Sequence, residues 1–344
     1  MPQLLIPRLQ DRECGISEFY KRELDLEAEC VEADSTEPIS PNSLIFCYDI
    51  GVWANRLKVS KTNSVSVILS ANEYYDVRKY RELNEFDAIK FAFIDYLPDY
   101  PIRVPLAEIT RWIFENKSCL RERHFWGTLK KALKHFKELS SFDFGFPTMR
   151  MPLGYSERYV RELELLGLTN GSNESLLRSS PLCELTGRSG VSFIGQRGTW
   201  YRRQMTSSFS KFPGSQVETY ASWGGNPVKQ PQTQYADSIL GSRFVVCPPG
   251  NVSSESFRYM ESIILGAIPI LTEVSIQDFT RHNYWPKDLN LDLRTYMTLW
   301  KSLNCKNDDQ LSKIYFDLLS HLIFVIQEVK DKITELTSNE DLKT

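Results

Sequence analysis

Residues 242–271 read "SRFVVCPPGNVSSESFRYMESIILGAIPIL", and this stretch contains the pattern that decides the fold. The segment "RFVVC" is short and apolar, as a buried strand is, and "PPGNVSSE" interrupts it because proline cannot donate a ladder hydrogen bond. A helix is predicted over "SFRYMESIIL", and Gly266 ends it before a second strand, "AIPIL". A strand, a turn, a helix and a strand in this order predict a parallel α/β unit.

The predicted helix carries Arg258 and Glu261 one turn apart, directly behind a serine-rich turn. In doubly wound sheets, ligands bind at the carboxyl ends of the strands, where helix N-termini offer unpaired N–H groups to anions. Gly250 allows the backbone to turn there, and Ser253 or Ser254 is a natural N-cap. A guanidinium can hold a phosphate in two places, and a carboxylate can accept both hydroxyls of a ribose. The spacing favours a nucleoside diphosphate laid along the helix; the alternative is an ordinary i,i+3 surface ion pair.

The rest of the chain repeats the α/β pattern. Apolar segments in "SLIFCYDIG", "SVSVILSANEYYD" and "AIKFAFIDYLPDYP" each end in a polar, acidic edge, and helical segments separate them. A second series opens with "GVSFIGQRGTWYRRQM". We predict an irregular lead-in over residues 1–40, a Rossmann-like domain over 41–150, a hinge over 151–187, a second Rossmann-like domain over 188–306, and a closing helix over 307–344.

Composition excludes several classes of protein. Of the 344 residues, 42% are hydrophobic and 25% are charged, as in ordinary globular proteins, and the net charge of −3 gives no indication of a nucleic-acid partner. Seven cysteines occur without a CxxC pair, which favours reduced thiols and a cytoplasmic location. The four histidines show no metal-ligand spacing, and no segment reaches the roughly 20 apolar residues of a membrane anchor. We therefore expect neither a metal site nor a transmembrane anchor.

The opening stretch resembles the exostosin-like glycosyltransferases. Their signature is a strand ending in Cys-Pro-x-Gly, a loop with serines, Arg-x-x-Glu, and then a small residue followed by x-Pro and a hydrophobic residue. The upstream segments "VSFIGQRGTWYRRQM" and "YADSILGSRF" also fit, so the resemblance covers residues 188–275. The matching positions of the signature are Cys247, Pro248, Gly250, Ser253 to Ser256, Arg258, Glu261, Gly266 and Pro269.

The resemblance implies a GT-B architecture, in which two Rossmann-like domains face each other across a cleft and the C-terminal one binds a nucleotide-sugar. It implies that Arg258 binds the diphosphate and Glu261 the ribose. The sugar donor would be a UDP-sugar and the acceptor a hydroxyl of a glycan or polysaccharide, and the closing helix would return to the N-terminal domain. Flanking phosphate contacts would come from Gly195, Arg197, Arg202 and Arg203.

The chain departs from the exostosin-like pattern at two places. Animal members carry an N-terminal membrane anchor, which we do not find here, so a Golgi location would require that an anchor has been removed. Ala267 and Ile268 also stand where Cys-Val is more usual. For the arginine pair at 202–203, the alternative to a phosphate contact is a solvated helix face.

Sugar transfer needs a group that neutralises the departing diphosphate. A transfer that inverts the anomeric configuration also needs a general base. The chain contains no Asp-x-Asp, so we assign the first role to arginines and a helix N-terminus and expect metal-independent turnover without a cofactor. Asp49, Glu73 and Asp95 each follow a predicted strand and are candidate bases, although such residues are also common as caps and turn formers. Asp49 is preferred because Gly51 beside it permits close approach of a ligand.

Two other functional classes compete with a transferase. A Rossmann oxidoreductase should show G-x-G-x-x-G after an early strand, and "GQRG" is too short to supply it. A catalytically silent GT-B-like protein that only binds glycans stays open, because the sequence does not single out the base.

Overall fold

A computed structural model describes most of the chain. The described residues are 2–7, 17–32, 35–47, 50–61, 63–69, 82–94, 145–169, 174–178, 185, 187–196, 200–220, 234–248, 256–272, 285–286, 289, 291–292 and 294–338. The chain divides into two compact units. The smaller unit is Glu32–Arg150, and the larger one combines Met1–Val31 with Met151–Thr344.

Strands and helices alternate along the described residues, as an α/β fold requires. The strands are β1 (Gln3–Pro7), β2 (Glu27–Val31), β3 (Ser43–Cys47), β4 (Val65–Leu69), β5 (Ile89–Ile94), β6 (Thr148–Arg150), β7 (Val191–Gln196), β8 (Gln216–Tyr220), β9 (Phe244–Cys247) and β10 (Ile268–Leu271). The α-helices are α1 (Ser17–Glu23), α2 (Ala54–Val59), α3 (Glu157–Leu165), α4 (Trp200–Phe209), α5 (Gln234–Leu240), α6 (Phe257–Ile264), α7 (Tyr296–Asn304) and α8 (Asp308–Ser338).

The smaller unit contains a parallel sheet in which β3, β4, β5 and β6 pair in chain order. Most side chains on β3, β4 and β5 are buried, as the continuous apolar runs predict for a sheet covered on both faces, while the last strand, β6, is more exposed. A short 3-10 helix, Ile50–Trp53, follows β3 and leads into α2. The indole of Trp53 is buried and donates a hydrogen bond to the carbonyl of Phe46 at 2.8 Å, which ties this turn to the strand.

The larger unit contains a four-stranded parallel sheet in the order β10-β9-β7-β8. From β7 the chain moves outward to β8, then returns to the other side of β7 to form β9 and β10. The strand order therefore reverses between β7 and β9. Within the described residues, both units are α/β with parallel sheets, as the sequence predicts.

The first 31 residues differ from the irregular lead-in that we expected, because they form β1, α1 and β2. Strand β2, "EAECV", is exposed at four of its five positions, so it lacks the apolar run that identifies a strand in sequence. Its backbone nevertheless pairs in parallel with β1. Phe19 and Tyr20 in α1 are buried, which makes this segment part of the core of the larger unit.

The region predicted as a hinge, residues 151–187, includes helix α3. Ser156 caps α3, since its side chain accepts a hydrogen bond from the backbone N–H of Tyr159 at 3.3 Å. Tyr159 and Leu163 on this helix are buried. The boundary between the two units falls between Arg150 and Met151, where the predicted N-terminal domain ends.

The closing helix α8 packs within the larger unit. The hydroxyl of Tyr315 donates to the carbonyl of Ile263 in α6 at 2.8 Å, and Lys330 pairs with Asp25 near the start of the chain. One side of α8 supplies ten buried residues, the pattern of an amphipathic helix. None of the helices in the described part of the chain combines the length and apolar character needed to cross a membrane.

A buried carboxylate holds α1 in place. Glu23 is buried and accepts hydrogen bonds from Tyr155 Oη at 3.0 Å, Ser175 Oγ at 2.5 Å, and the backbone N–H groups of Leu176 and Leu177 at 2.8 and 3.4 Å. Burial raises the pKa of this carboxyl above its usual value, while these hydrogen bonds oppose the rise. One side chain thus joins the end of α1 to two distant segments of the chain.

Replacing Glu23 with alanine should lower the free energy of unfolding by about 2–4 kcal/mol, because four donors lose their acceptor. Urea unfolding followed by circular dichroism measures the change. The matched control is Glu335→Ala, which removes an exposed partner of Lys332 and should cost less than about 0.5 kcal/mol. Equal losses in the two variants would contradict the anchoring role of Glu23.

Candidate functional site

The reversal of strand order in the larger unit defines the candidate site. Strands β7 and β9 are neighbours, with Val191 opposite Phe244 and Ser192 opposite Val245, while β8 and β10 lie on opposite sides of this pair. In open parallel sheets, ligands bind outside the carboxyl ends of the strands at such a reversal, because the helices there diverge and leave a crevice. Helix α6 begins at Phe257, after β9, and its first turn contacts the end of β7.

Arg258 makes that contact. Its Nη2 donates a hydrogen bond to the carbonyl of Ile194 at 2.9 Å, and its guanidinium carbon lies 4.9 Å from the ring centroid of Phe193. A Cβ atom at Gly195 would lie 2.1 Å from Nη2, so only glycine leaves room for the guanidinium in this position. The arginine is therefore held against Phe193, Ile194 and Gly195 of β7, at the strand reversal.

Two polar atoms at the start of α6 are buried and have no hydrogen-bond partner among the residues that the structure describes. They are Nε of Arg258 and Oγ of Ser256. Buried polar groups are nearly always hydrogen-bonded, so two unsatisfied groups two residues apart indicate that a partner is missing. They lie at a helix N-terminus, where N–H groups and the helix dipole favour an anion.

Ser256 is the residue before the first turn of α6, in place of Ser253 or Ser254, which we predicted as the N-cap. Its backbone is extended, but its side chain makes no capping hydrogen bond. The three serines are equivalent as caps by residue type. The sequence could not choose among them, because the choice depends on where the apolar face of α6 meets the sheet.

Glu261 is buried, with 3% of its surface exposed. Oε1 accepts hydrogen bonds from the backbone N–H and the hydroxyl of Ser156 at 3.3 and 3.1 Å, and Oε2 accepts one from the hydroxyl of Tyr235 at 2.6 Å. The hydroxyl of Tyr159 donates to the backbone carbonyl of Glu261 at 2.8 Å. Arg258 and Glu261 therefore contact different elements and are not the surface ion pair that we considered as the alternative.

The ionisation of the site follows from burial. Burial raises the pKa of the Glu261 carboxyl above its usual 4.5, and the Tyr235 hydroxyl, the positive charge of Arg258 and the Ser156 groups oppose the rise. Burial and the neighbouring Glu261 charge raise the pKa of Tyr235 well above 10, so this hydroxyl stays a hydrogen-bond donor. Burial also raises the pKa of Cys247 to about 12, so its sulfur remains a thiol and is a poor nucleophile.

The structure brings together three of the predicted site residues, Gly195, Arg258 and Glu261. Of the arginine pair on α4, Arg202 is buried and Arg203 is exposed, so the pair does not form one solvated face. The other predicted residues lie outside the described residues. These are the three candidate bases Asp49, Glu73 and Asp95, and the loop residues Arg197, Gly250, Ser253 and Ser254.

Sequence reasoning missed the residues that bind the carboxylate of Glu261. Tyr235 stood in a segment that fits the exostosin-like pattern, but nothing in the sequence linked its hydroxyl to Glu261, 26 residues later. Ser156 lies 105 residues before Glu261, in the region that we took for a hinge. Across the described ranges, no group of three or more His, Cys, Asp or Glu side chains is placed to hold a metal ion.

Comparison with known proteins found no family model that matches the chain and no curated protein that is significantly similar to it.

The raised pKa of Glu261 predicts a specific dependence of stability on pH. The folded protein holds the proton to a higher pH than the unfolded chain, so this residue favours the folded state most below about pH 4.5. That contribution is lost as the pH rises through the folded-state pKa. The unfolding free energy of wild type, relative to Glu261→Gln and measured from pH 4.5 upward, should therefore fall as the pH rises.

Urea unfolding of both proteins at a series of pH values measures the difference between their unfolding free energies. The contributions of the other titrating groups cancel in this difference because both proteins contain them. The matched control is Glu335→Gln, which makes the same chemical change at an exposed carboxylate paired with Lys332. A wild-type advantage that grows with pH would show that Glu261 is stabilised as the charged form, contrary to the stated direction.

Proposed function

We propose that this protein is a glycosyltransferase that moves a sugar from a nucleoside diphosphate, most simply a UDP-sugar, to a hydroxyl of a glycan or polysaccharide. The observation that carries the proposal is the pair of unsatisfied buried groups, Arg258 Nε and Ser256 Oγ, at the strand reversal of the larger unit. A diphosphate would supply the missing acceptors. The resemblance of residues 188–275 to exostosin-like enzymes supports the proposal that this diphosphate belongs to a nucleotide-sugar donor.

Arg258 is suited to stabilise the departing diphosphate. The hydrogen bond to Ile194 fixes one guanidinium nitrogen on the sheet and leaves Nε without a partner. A cation held in place and partly desolvated stabilises developing negative charge without reorganising during the reaction. The N-terminal end of α6 adds its dipole in the same position. We therefore propose metal-independent inverting transfer in a GT-B architecture.

The ribose contact at Glu261, which the resemblance implies, faces a structural obstacle. The carboxylate already accepts three hydrogen bonds from Ser156 and Tyr235 and is almost fully buried. A ribose could bind there only if the carboxylate exchanged one of these partners. The proposal for the sugar donor therefore rests on Arg258, and not on Glu261.

The general base is proposed to come from the smaller unit. Asp49 follows β3, Glu73 follows β4 and Asp95 directly follows β5, three neighbouring parallel strands whose carboxyl ends share one edge. A carboxylate at such an edge can accept the proton of an acceptor hydroxyl as the hydroxyl attacks the anomeric carbon. Asp49 remains the preferred candidate because Gly51, two residues later, permits close approach of a ligand.

Wild type should bind UDP, and Arg258→Ala should weaken this binding at least about 30-fold, since a charge-assisted contact to phosphate is lost. Gly195→Ala should weaken it to a similar degree, because the added Cβ displaces the guanidinium. Isothermal titration with UDP, and in parallel with GDP, in the presence of EDTA measures these affinities.

Arg161→Ala is the matched control for this titration, because Arg161 is an exposed arginine that pairs with its helix neighbour Glu157. It should bind UDP as wild type does. Absence of UDP and GDP binding by folded wild type would refute the proposed sugar-donor site. Binding that survives Arg258→Ala would move the site elsewhere.

Among Asp49→Asn, Glu73→Gln and Asp95→Asn, we expect one variant to lower the turnover number about 10²- to 10⁴-fold while UDP binding stays within about twofold of wild type. Loss of the general base affects the chemical step and not the diphosphate site. Sugar transfer or donor hydrolysis, screened over a panel of UDP-sugars, provides the measurement. UDP binding without turnover of any sugar donor would favour the catalytically silent glycan-binding protein instead.

A further inference from the structure

A buried hydrogen-bond network joins three helices of the larger unit at the carboxylate of Glu261. Ser156, at the start of α3, donates to it through both its backbone N–H and its hydroxyl, and Tyr235, in the first turn of α5, donates through its hydroxyl. The same Ser156 hydroxyl accepts from the backbone N–H of Tyr159. The network thus ends at the N-terminal turns of α3 and α5 and at the middle of α6.

Helix α6 is held at this point by its backbone as well as by its side chain. The hydroxyl of Tyr159 donates to the backbone carbonyl of Glu261 at 2.8 Å. Arg258 stands one turn before Glu261 on the same helix, and its charge is close enough to act on both the Glu261 carboxyl and the Tyr235 hydroxyl. The rotation of α6 about its axis, fixed at Glu261, therefore also determines where Arg258 lies.

The chemistry of Glu261 argues for a role beyond packing. Taking a carboxylate out of water is costly, and an apolar side chain of similar volume would usually stabilise a helix contact as well. A carboxylate that accepts three directed hydrogen bonds fixes the orientation of its helix. Apolar contacts are less directional and fix that orientation less strictly. The orientation of α6 matters because Arg258 packs so closely on Gly195 that a Cβ there would lie 2.1 Å from its Nη2.

We propose that Tyr235 is a positioning residue for the sugar-donor site. Together with Ser156, it holds the Glu261 carboxylate, and the fixed carboxylate sets the first turn of α6 so that Arg258 and Ser256 face the diphosphate. Glu261 acts through Arg258 and does not bind the ribose. This inference rests on the proposed function for its ligand, but the geometry that it assigns can be tested without a ligand.

The ligand-independent test follows the Arg258 guanidinium by NMR. In arginine-labelled protein, the Nε–H resonance that disappears in Arg258→Lys identifies Arg258. Its exchange with solvent should be slow in wild type, because the atom is buried and the guanidinium is held on β7. Tyr235→Phe should accelerate this exchange about fivefold or more, the ratio expected for the loss of one buried hydrogen bond.

The ligand-dependent test measures UDP affinity by titration. Tyr235→Phe should weaken UDP binding about fivefold, and Glu261→Gln should weaken it similarly or more. The matched control is Tyr315→Phe, which removes another buried tyrosine hydroxyl that donates to α6, at the carbonyl of Ile263. It should lower the melting temperature comparably but leave both UDP affinity and Arg258 exchange within about twofold of wild type.

The outcomes separate the two proposals. Faster Arg258 exchange in Tyr235→Phe, with the control unchanged, supports the positioning role even if wild type fails to bind UDP, a failure that would refute only the proposed function. Unchanged exchange in Tyr235→Phe overturns the positioning role. Tighter UDP binding by Tyr235→Phe also overturns it, since that result would mean that the tyrosine competes with a ribose for Glu261. Equal effects of Tyr235→Phe and Tyr315→Phe on Arg258 exchange and UDP affinity would also overturn it, because the network would then only stabilise the fold.

Discussion

The contact between Arg258 and the end of β7 is the interaction on which the candidate site depends. A guanidinium can lie against the carbonyl of Ile194 only because Gly195 has no side chain. The contact joins the strand that begins the four-stranded sheet to the helix that follows β9, and so spans the reversal of strand order. It places a fixed positive charge where an open parallel sheet leaves a crevice.

That position has an energetic cost, which the surroundings of α6 offset. The cap residue Ser256 and Arg258 in the first turn each keep one buried polar atom without a partner in the described part of the chain, and each such atom costs about 1–3 kcal/mol. One turn later, the buried carboxylate of Glu261 accepts three hydrogen bonds from Ser156 and Tyr235. The helix is thus firmly held at its middle and incompletely satisfied at its start, the arrangement expected where a ligand completes the site.

The larger unit is assembled from both ends of the chain. Its first 31 residues reach the rest of the unit through Glu23, whose carboxylate binds the segment around Ser175, and through the ion pair between Asp25 and Lys330 of α8. Helix α8 in turn contacts α6 through Tyr315. The closing helix therefore supports the helix that carries Arg258 and contributes to the stability of the larger unit.

The sequence by itself determined the α/β class, the parallel strands and the strand–helix–strand unit that carries Arg258, because apolar runs, prolines and glycines act locally. It did not reveal β2, whose residues alternate with glutamates and are mostly exposed, and whose pairing is made by the backbone. It could not place Glu261, because the partners of its carboxylate are 26 and 105 residues away in sequence. Only the tertiary structure decided that this residue is buried and that Arg258 lies on Gly195, since both depend on how distant segments pack around one helix.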